Sequence, residues 1–375
     1  MKTIILTTEL SNKPNAMDLR LKKIIYFFSK ISEVKVYYPS NKNQTREVNT
    51  VKYVGLKTNL KIRYIRRFLY KQILRQQLKS IILQENPDII YTQDSMQASL
   101  YNNKIKSYKI FDILGLGKNE STKGKTGIIN IIKGMYLGQI EKRASRNADY
   151  IFTVNEAHKR KIQKLTSRPV FVIRDGVEKS FFQYNKKSNI RDAIKVAFVG
   201  SLGSKRILSL ITNFNKILKQ DNKINFLIIG DGPDLQLYKK ITKEHNIENN
   251  VQFTGYIKHN NIKKYIIDSS ICFSDDWSYI GFPTKVFEYM AMGKAILVED
   301  TPAVREIINE NVNGLLYKDA NDFVKKVLIL TKDKALRERV GKQARKDAFR
   351  HTWNQREKEF NKLITKITSD SNKIL

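Results

Sequence analysis

Two polar side chains three residues apart, Lys285 and Glu288, carry the first chemical suggestion in this chain. They lie in Gly281-Phe-Pro-Thr-Lys-Val-Phe-Glu-Tyr-Met-Ala-Met-Gly293, which reads as a loop running into a short helix. Pro283 suits the first helical position, where a missing N–H costs nothing, and Gly293 suits the position just past the end. Val286, Phe287, Met290 and Ala291 form an apolar face at helical spacing. Lys285 and Glu288 share one side of the first turns. A cation beside the free N–H groups of a helix start suits a phosphate, and a carboxylate one turn deeper accepts from sugar hydroxyls. The same residues also describe a capped surface helix with a solvated ion pair, so the rest of the chain must decide.

Two glycine turns bear on the choice. Gly200-Ser-Leu-Gly203 follows an apolar strand and leads to Lys205 and Arg206 at a helix start. Glycine there lets backbone approach an anion closely, and the two cations would stand beside it. Gly230-Asp-Gly-Pro233 is a tight elbow at the end of another strand. Neither has the Walker spacing or the dinucleotide G-x-G-x-x-G spacing. Taken singly, each is equally an ordinary structural turn.

The elements that must position these residues alternate strand and helix. In the first half, strands are expected at Thr3–Thr8, Val34–Tyr38, Ile89–Tyr91, Lys109–Ile113, Ala148–Val154 and Val170–Arg174. Helices fall between them, the longest at Leu60–Leu83 with basic residues crowding its outer faces. The polar stretch Gln183–Asn189 is the linker candidate. The second half repeats the alternation, with strands at Lys195–Val199, Asn225–Ile229, Val251–Phe253, Ile271–Ser274, Ala295–Val298 and Leu315–Tyr317. One helix is expected at Ile207–Lys219, two more at Ala320–Leu330 and Lys334–Phe349, then a basic tail. Such alternation predicts an α/β fold with doubly wound parallel sheets. Ligands then sit beyond the carboxyl ends of the strands.

At 375 residues the chain should hold two domains. It has no run of about 18 apolar residues, so no spanning helix is expected, and its first residues turn polar too early for a secretory signal. The single cysteine, Cys272, excludes an intramolecular disulfide framework, and neither it nor the four histidines has metal-ligand spacing. No metal site is predicted, and the compartment is most simply the cytosol. The net charge is +33. Residues 1–190 hold 37 basic and 14 acidic residues, net +23, while residues 191–375 hold 32 and 22, net +10. The first half therefore expects an anionic partner: a phospholipid surface, a lipid-phosphate acceptor or nucleic acid. A general bias toward lysine would also give this balance.

In order along the second half, five segments resemble the retaining GT-B glycosyltransferases of family four, also called group 1. They are Phe198-Val-Gly-Ser-Leu202 with Lys205, Leu227-Ile-Ile-Gly-Asp-Gly-Pro233, Val251-Gln-Phe-Thr-Gly255, Gly281 to Lys294, and Glu306 to Leu316. The first half matches more loosely, through Pro87-Asp-Ile-Ile90, Ala148-Asp149 and Asp175-Gly-Val177. The resemblance implies two Rossmann-like domains facing a central cleft. Residues 1–185 would receive the acceptor, residues 190–348 would bind the nucleotide sugar, and residues 349–375 would cross back to the first domain. It implies sugar transfer with retention, no metal and no cofactor, from a UDP- or GDP-linked donor to a glycan or lipid-linked acceptor at the cytoplasmic membrane face. Lys205 and Lys285 would neutralise the donor diphosphate, with Gly200, Ser201, Arg206 and Thr284 around it. Glu288 would bind the ribose, while Asp231, Gly232, Tyr256 and Ile257 would border the nucleotide. Asn12 and Asp112 are the acceptor-side candidates.

Three positions depart from the family pattern. Ile280 stands where a first glutamate, with seven residues between it and the second, normally holds the sugar. Ser201 replaces a frequent arginine, with Arg206 available nearby, and Leu114 stands where the first domain often offers a histidine. A catalytically degenerate member that binds without turning over is therefore an alternative. A nucleic-acid binder would explain the charge, but no reader motif accompanies Tyr64, Phe68 and Tyr70 among their arginines. A sugar-phosphate isomerase on the same scaffold would need acid and base groups at both domain faces, and none is placed.

Overall fold

The computed structural model describes residues 1–7, 16–40, 42–57, 66–102, 104–115, 128–183, 194–203, 207–275 and 283–369. The chain divides into two compact units, Met1–Arg174 with Arg356–Leu375, and Asp175–Gln355.

Among the described residues, the first unit is built on eight strands: β1 Lys2–Leu6, β2 Glu33–Ser40, β3 Gln44–Val48, β4 Val51–Lys57, β5 Ile89–Thr92, β6 Tyr108–Ile113, β7 Tyr150–Thr153 and β8 Val170–Val172. They lie in the order β3-β4-β2-β1-β5-β6-β7-β8. All neighbours are parallel except β3 and β4. The central strands are Ile- and Val-rich runs buried on both faces, with Ile4, Ile5, Ile89, Ile90 and Ile151 at 0% exposure. That continuous apolar pattern belongs to a parallel sheet covered by helices on both sides. The β3–β4 hairpin was not expected from sequence. Its strand Gln44–Val48 is exposed throughout, so it carries no apolar alternation to read. Asn49 and Thr50 turn it with positive φ values of 47° and 68°.

Among its described residues the second unit has six parallel strands: β9 Lys195–Val199, β10 Asn225–Ile229, β11 Val251–Phe253, β12 Ile271–Ser274, β13 Ala295–Glu299 and β14 Leu315–Tyr317. Their order is β11-β10-β9-β12-β13-β14. The order reverses between β9 and β12, and such a switch point leaves a crevice at the strand ends. Apolar side chains from both faces are sealed, one around Phe198, Phe214, Phe226 and Phe273, the other around Phe287, Met290 and Ile296.

Several elements differ from the sequence reading. The expected helix Ile207–Lys219 is two short helices, Leu208–Ile211 and Phe214–Leu218, which places Phe214 flat on Phe226 at 3.8 Å between ring centroids. The described part of the long basic helix runs Arg66–Glu85. The linker candidate Gln183–Asn189 lies outside the described residues from 184 onward. Within the segment 349–375, where the family resemblance implies a last helix, a helix runs Trp353–Ser369. Phe360 of that helix inserts among Phe27, Phe28 and Phe152, so the last stretch of sequence completes the core of the first unit.

Candidate active site

Three turns leave β9, β10 and β11 side by side and are stitched together by backbone hydrogen bonds. Gly200 N donates to Ile229 O at 3.0 Å, and Leu202 N donates to Asp231 O at 3.0 Å. Gly230 N donates to Gly255 O at 3.1 Å. The closeness demands glycine. A Cβ on Gly230 would fall 1.8 Å from Gly200 O, and its φ of +151° is already foreign to other residues. A Cβ on Gly232 would fall 2.2 Å from Leu202 O. Asp231 spends one carboxylate oxygen on the adjacent Gly232 N at 2.7 Å. Ser201 and Tyr256 are exposed beside these turns, and Ile257 packs against the second core cluster.

The helix of the sequence motif runs Lys285–Ala291 behind this floor, with Thr284 as its first boundary residue. Val286, Phe287, Met290 and Ala291 are buried, as their spacing requires. Tyr289 is buried too. Its hydroxyl accepts from Val199 N at 2.9 Å, tying the helix to the last residue of β9. Lys285 therefore reaches the first turn. Its Nζ stands 4.2 Å from the centroid of the Phe198 ring, and a Cβ on Gly200 would come within 2.8 Å of it. The glycine makes room for the ammonium, and the aromatic face receives it.

Glu288, one turn along, points to the chain after the third turn. Its Oε1 lies 2.6 Å from His259 Nε2, with the two side chains 12% and 27% exposed. A carboxylate can only accept, so the imidazole is the donor. His259 opens the helix His259–Ile266, and its ring lies 5.9 Å from that of Phe181. Sequence reading missed His259 because it sits 29 residues from Glu288 and outside any of the five motifs. One short helix thus links the first turn, through Lys285, to the segment beyond the third, through Glu288. Lys205, Arg206 and Ile280 lie outside the described residues.

The acceptor-side candidates fare differently. Asn12 lies outside the described residues. Asp112 is fully buried. Its oxygens accept from Arg20 Nε at 2.9 Å, Arg20 Nη2 at 3.0 Å, Tyr91 Oη at 2.5 Å and Gln93 Nε2 at 3.2 Å. Arg20 also donates to Ile173 O at 2.8 Å. The carboxylate therefore ties helix Ala16–Ser29 to the strand ends of the first unit's sheet. The same unit has a pocket of about 420 Å³, open mouth included, lined by Leu6, Tyr37, Tyr38, Leu56, Leu78 and Leu100 among others. It opens at the ends of β1, β2 and β4 and is largely apolar.

The sequence profile of the glycosyl transferases group 1 family matches residues 180–347. An uncharacterised glycosyltransferase of Methanocaldococcus jannaschii is 25% identical over 256 residues, 64% of this chain and 64% of that one, so the match spans just under two thirds of the relative. The N,N'-diacetylbacillosaminyl-diphospho-undecaprenol alpha-1,3-N-acetylgalactosaminyltransferase of Campylobacter jejuni is 35% identical over 89 residues, 23% of this chain and 24% of that one. Sucrose-phosphate synthase from Thermosynechococcus elongatus superposes with a TM-score of 0.80 at 14% identity, covering 98% of this chain and 99% of that one, which shows a shared GT-B fold. The three stitched turns and the Lys285–Glu288 helix all lie within residues 180–347, the part of the chain that matches the glycosyl transferases group 1 family.

Proposed function

We propose that the protein moves a sugar from a UDP- or GDP-linked donor to a glycan or lipid-phosphate-linked acceptor, retaining anomeric configuration and using neither metal nor cofactor. The observation that carries this reading is the helix Lys285–Ala291, which sets an ammonium beside the first glycine turn and a carboxylate beside the segment after the third. A nucleoside diphosphate has its charge at one end and its ribose diol in the middle, and that spacing of donors and acceptors fits it. Lys285 neutralises the diphosphate, and most strongly as the sugar–oxygen bond breaks and charge gathers on the leaving phosphate. The family resemblance gives Lys205, with Arg206 next to it in sequence, the same neutralising role. Glu288, its other oxygen turned from His259, accepts from the ribose hydroxyls. Ser201, Thr284, Asp231, Gly232, Tyr256 and Ile257 border the nucleotide. Little covalent work remains for the protein beyond positioning and charge stabilisation.

The apolar pocket of the first unit supports an acceptor with an apolar portion, and the basic excess of residues 1–190 supports an anionic one. We place the protein in the cytoplasm, peripheral on the inner membrane face. Among the described residues no helix is long and apolar enough to cross a membrane.

The test is a panel of UDP- and GDP-sugars scored by calorimetric binding and by donor hydrolysis. One nucleotide series should bind. Glu288→Ala should weaken it at least about tenfold, the scale of a lost hydrogen bond to a charged group. Lys285→Ala should lower turnover more than binding. Binding without turnover in the wild type would favour the degenerate reading, in keeping with Ile280 and Leu114. If neither nucleotide series binds, or both variants match the wild type, the site assignment is wrong.

A further inference from the structure

The helix Ile128–Asn147 of the first unit has an outer face that its own fold does not use. Its inner face is complete: Gly134, Ile140, Glu141, Ala144 and Ser145 are buried at helical spacing, and Asn147 Nδ2 donates to Ser99 O at 2.9 Å. The outer face follows the complementary positions. Ile131 (56% exposed), Ile132 (60%), Met135 (57%) and Tyr136 (41%) come first. Gln139 follows, and then Lys142, Arg143 and Arg146, all exposed. Arg168 extends the basic end, its Nε donating to Arg146 O at 3.3 Å. Over roughly 22 Å of helix, at 1.5 Å per residue, one face passes from apolar to cationic. Exposed apolar side chains in singles are unremarkable, but four contiguous ones mark a contact surface.

We infer that this face docks on an anionic lipid bilayer, the apolar end sunk into the headgroup boundary and the basic end among lipid phosphates. Charge selects the occupant. A second copy of this chain would set one basic end against another or against a half of the molecule carrying +23. An anionic bilayer offers both partners the face needs, acyl chain for Ile131, Ile132 and Met135, phosphate for Lys142, Arg143 and Arg146. Tyr136 lies where the two meet, the depth that suits a ring with a polar tip. The helix lies on the membrane and does not span it, since its inner face is held in the unit's core. The inference names the surface behind the peripheral location proposed above and is independent of the donor site.

Flotation of the full chain with vesicles tests it, comparing equal parts phosphatidylglycerol and phosphatidylcholine with phosphatidylcholine alone. Wild type should float only with the anionic vesicles. Lys142→Glu/Arg143→Glu/Arg146→Glu should reduce the bound fraction at least about tenfold, since each basic group near the surface contributes to the attraction. Ile132→Ser/Met135→Ser should leave a residual binding that 0.5 M salt (roughly, well beyond physiological screening) abolishes. All these positions are exposed, so melting temperature and nucleotide binding should stay at wild-type values, which separates a docking failure from a donor-site failure. Equal flotation with neutral vesicles, or wild-type flotation by both variants, would overturn the inference. So would a solution dimer that Ile132→Ser/Met135→Ser dissociates while vesicles go unbound.

Discussion

At the scale of single residues, two histidines with opposite settings make separable predictions. His259 holds Glu288 at 2.6 Å near the surface of the site. His259→Ala leaves the carboxylate free to turn away, so donor KM should rise about tenfold with kcat little changed. His259→Gln keeps a donor at similar reach and should recover most of the loss; if it does not, the imidazole does more than position. His158 is buried, with Thr153 Oγ1 2.6 Å from its Nδ1 and Asn155 Oδ1 accepting from its backbone N at 2.6 Å. Burial pushes its imidazole down from 6.5 to about 4. The folded state then binds fewer protons than the unfolded one between those values. Stability from this group is intact above pH 6.5 and drains as pH falls towards 4, by on the order of 3 kcal/mol. Thermal melts across that range should show the slope, and His158→Gln should flatten it. The residues also mark where sequence reading reaches its limit. Lys285 and Glu288 announce themselves by spacing on one helix. Asp112 does not announce Arg20, because the pair closes over 92 residues of chain.

At the scale of elements, the helix Lys285–Ala291 depends on a neighbour. Helix Lys334–Ala348 packs against it, Arg345 donating to Ala291 O at 2.7 Å and to Phe182 O at 2.5 Å. Gly341 allows the approach, since a Cβ there would fall 2.3 Å from Gly293 O. Gly341→Ala should cost about 1–3 kcal/mol and weaken nucleotide binding in proportion, though residue 341 contacts no ligand. Gly230→Ala should cost more, as backbone faces it at 1.8 Å and its φ is +151°. Denaturant midpoints for the two variants give the order directly; the reverse order would mean that the turns yield more easily than the helix contact. The strands β9 to β12 were legible to the residue because each is a short apolar run ended by glycine or a polar turn. The β3–β4 hairpin was illegible because an exposed edge needs no apolar pattern. Helix 207–219 was misread because its periodicity continues across Thr212 and Asn213, while packing of Phe214 on Phe226 breaks the axis. His259 escaped because a site partner at a loop-to-helix boundary leaves no periodic trace.

At the scale of the molecule, the chain starts in one unit, builds the other, and returns. The return is anchored where it leaves the second unit: Val177 N donates to His351 O at 2.8 Å and Trp353 N donates to Val177 O at 3.2 Å. Gly176 permits this, because a Cβ there would meet Trp353 N at 2.8 Å. Truncation after Gln355 should therefore injure the first unit, remote in sequence, and spare the second. Hydrogen exchange should rise around Phe27, Phe28 and Phe152 while β9 to β14 keep their protection; uniform loss across both units would show that the two cannot be separated. Phe360, Ile364 and Ile367, each at most 2% exposed, fill that core. During synthesis the ribosome makes the second unit before it makes these three side chains, at 5–20 residues per second an interval of roughly 10–40 seconds. Through that interval the half of the chain translated first stays open at its aromatic centre. The newborn chain thus carries an unfinished first unit until its last helix is made, and holding factors that shelter apolar surface would find their target around Phe27, Phe28 and Phe152.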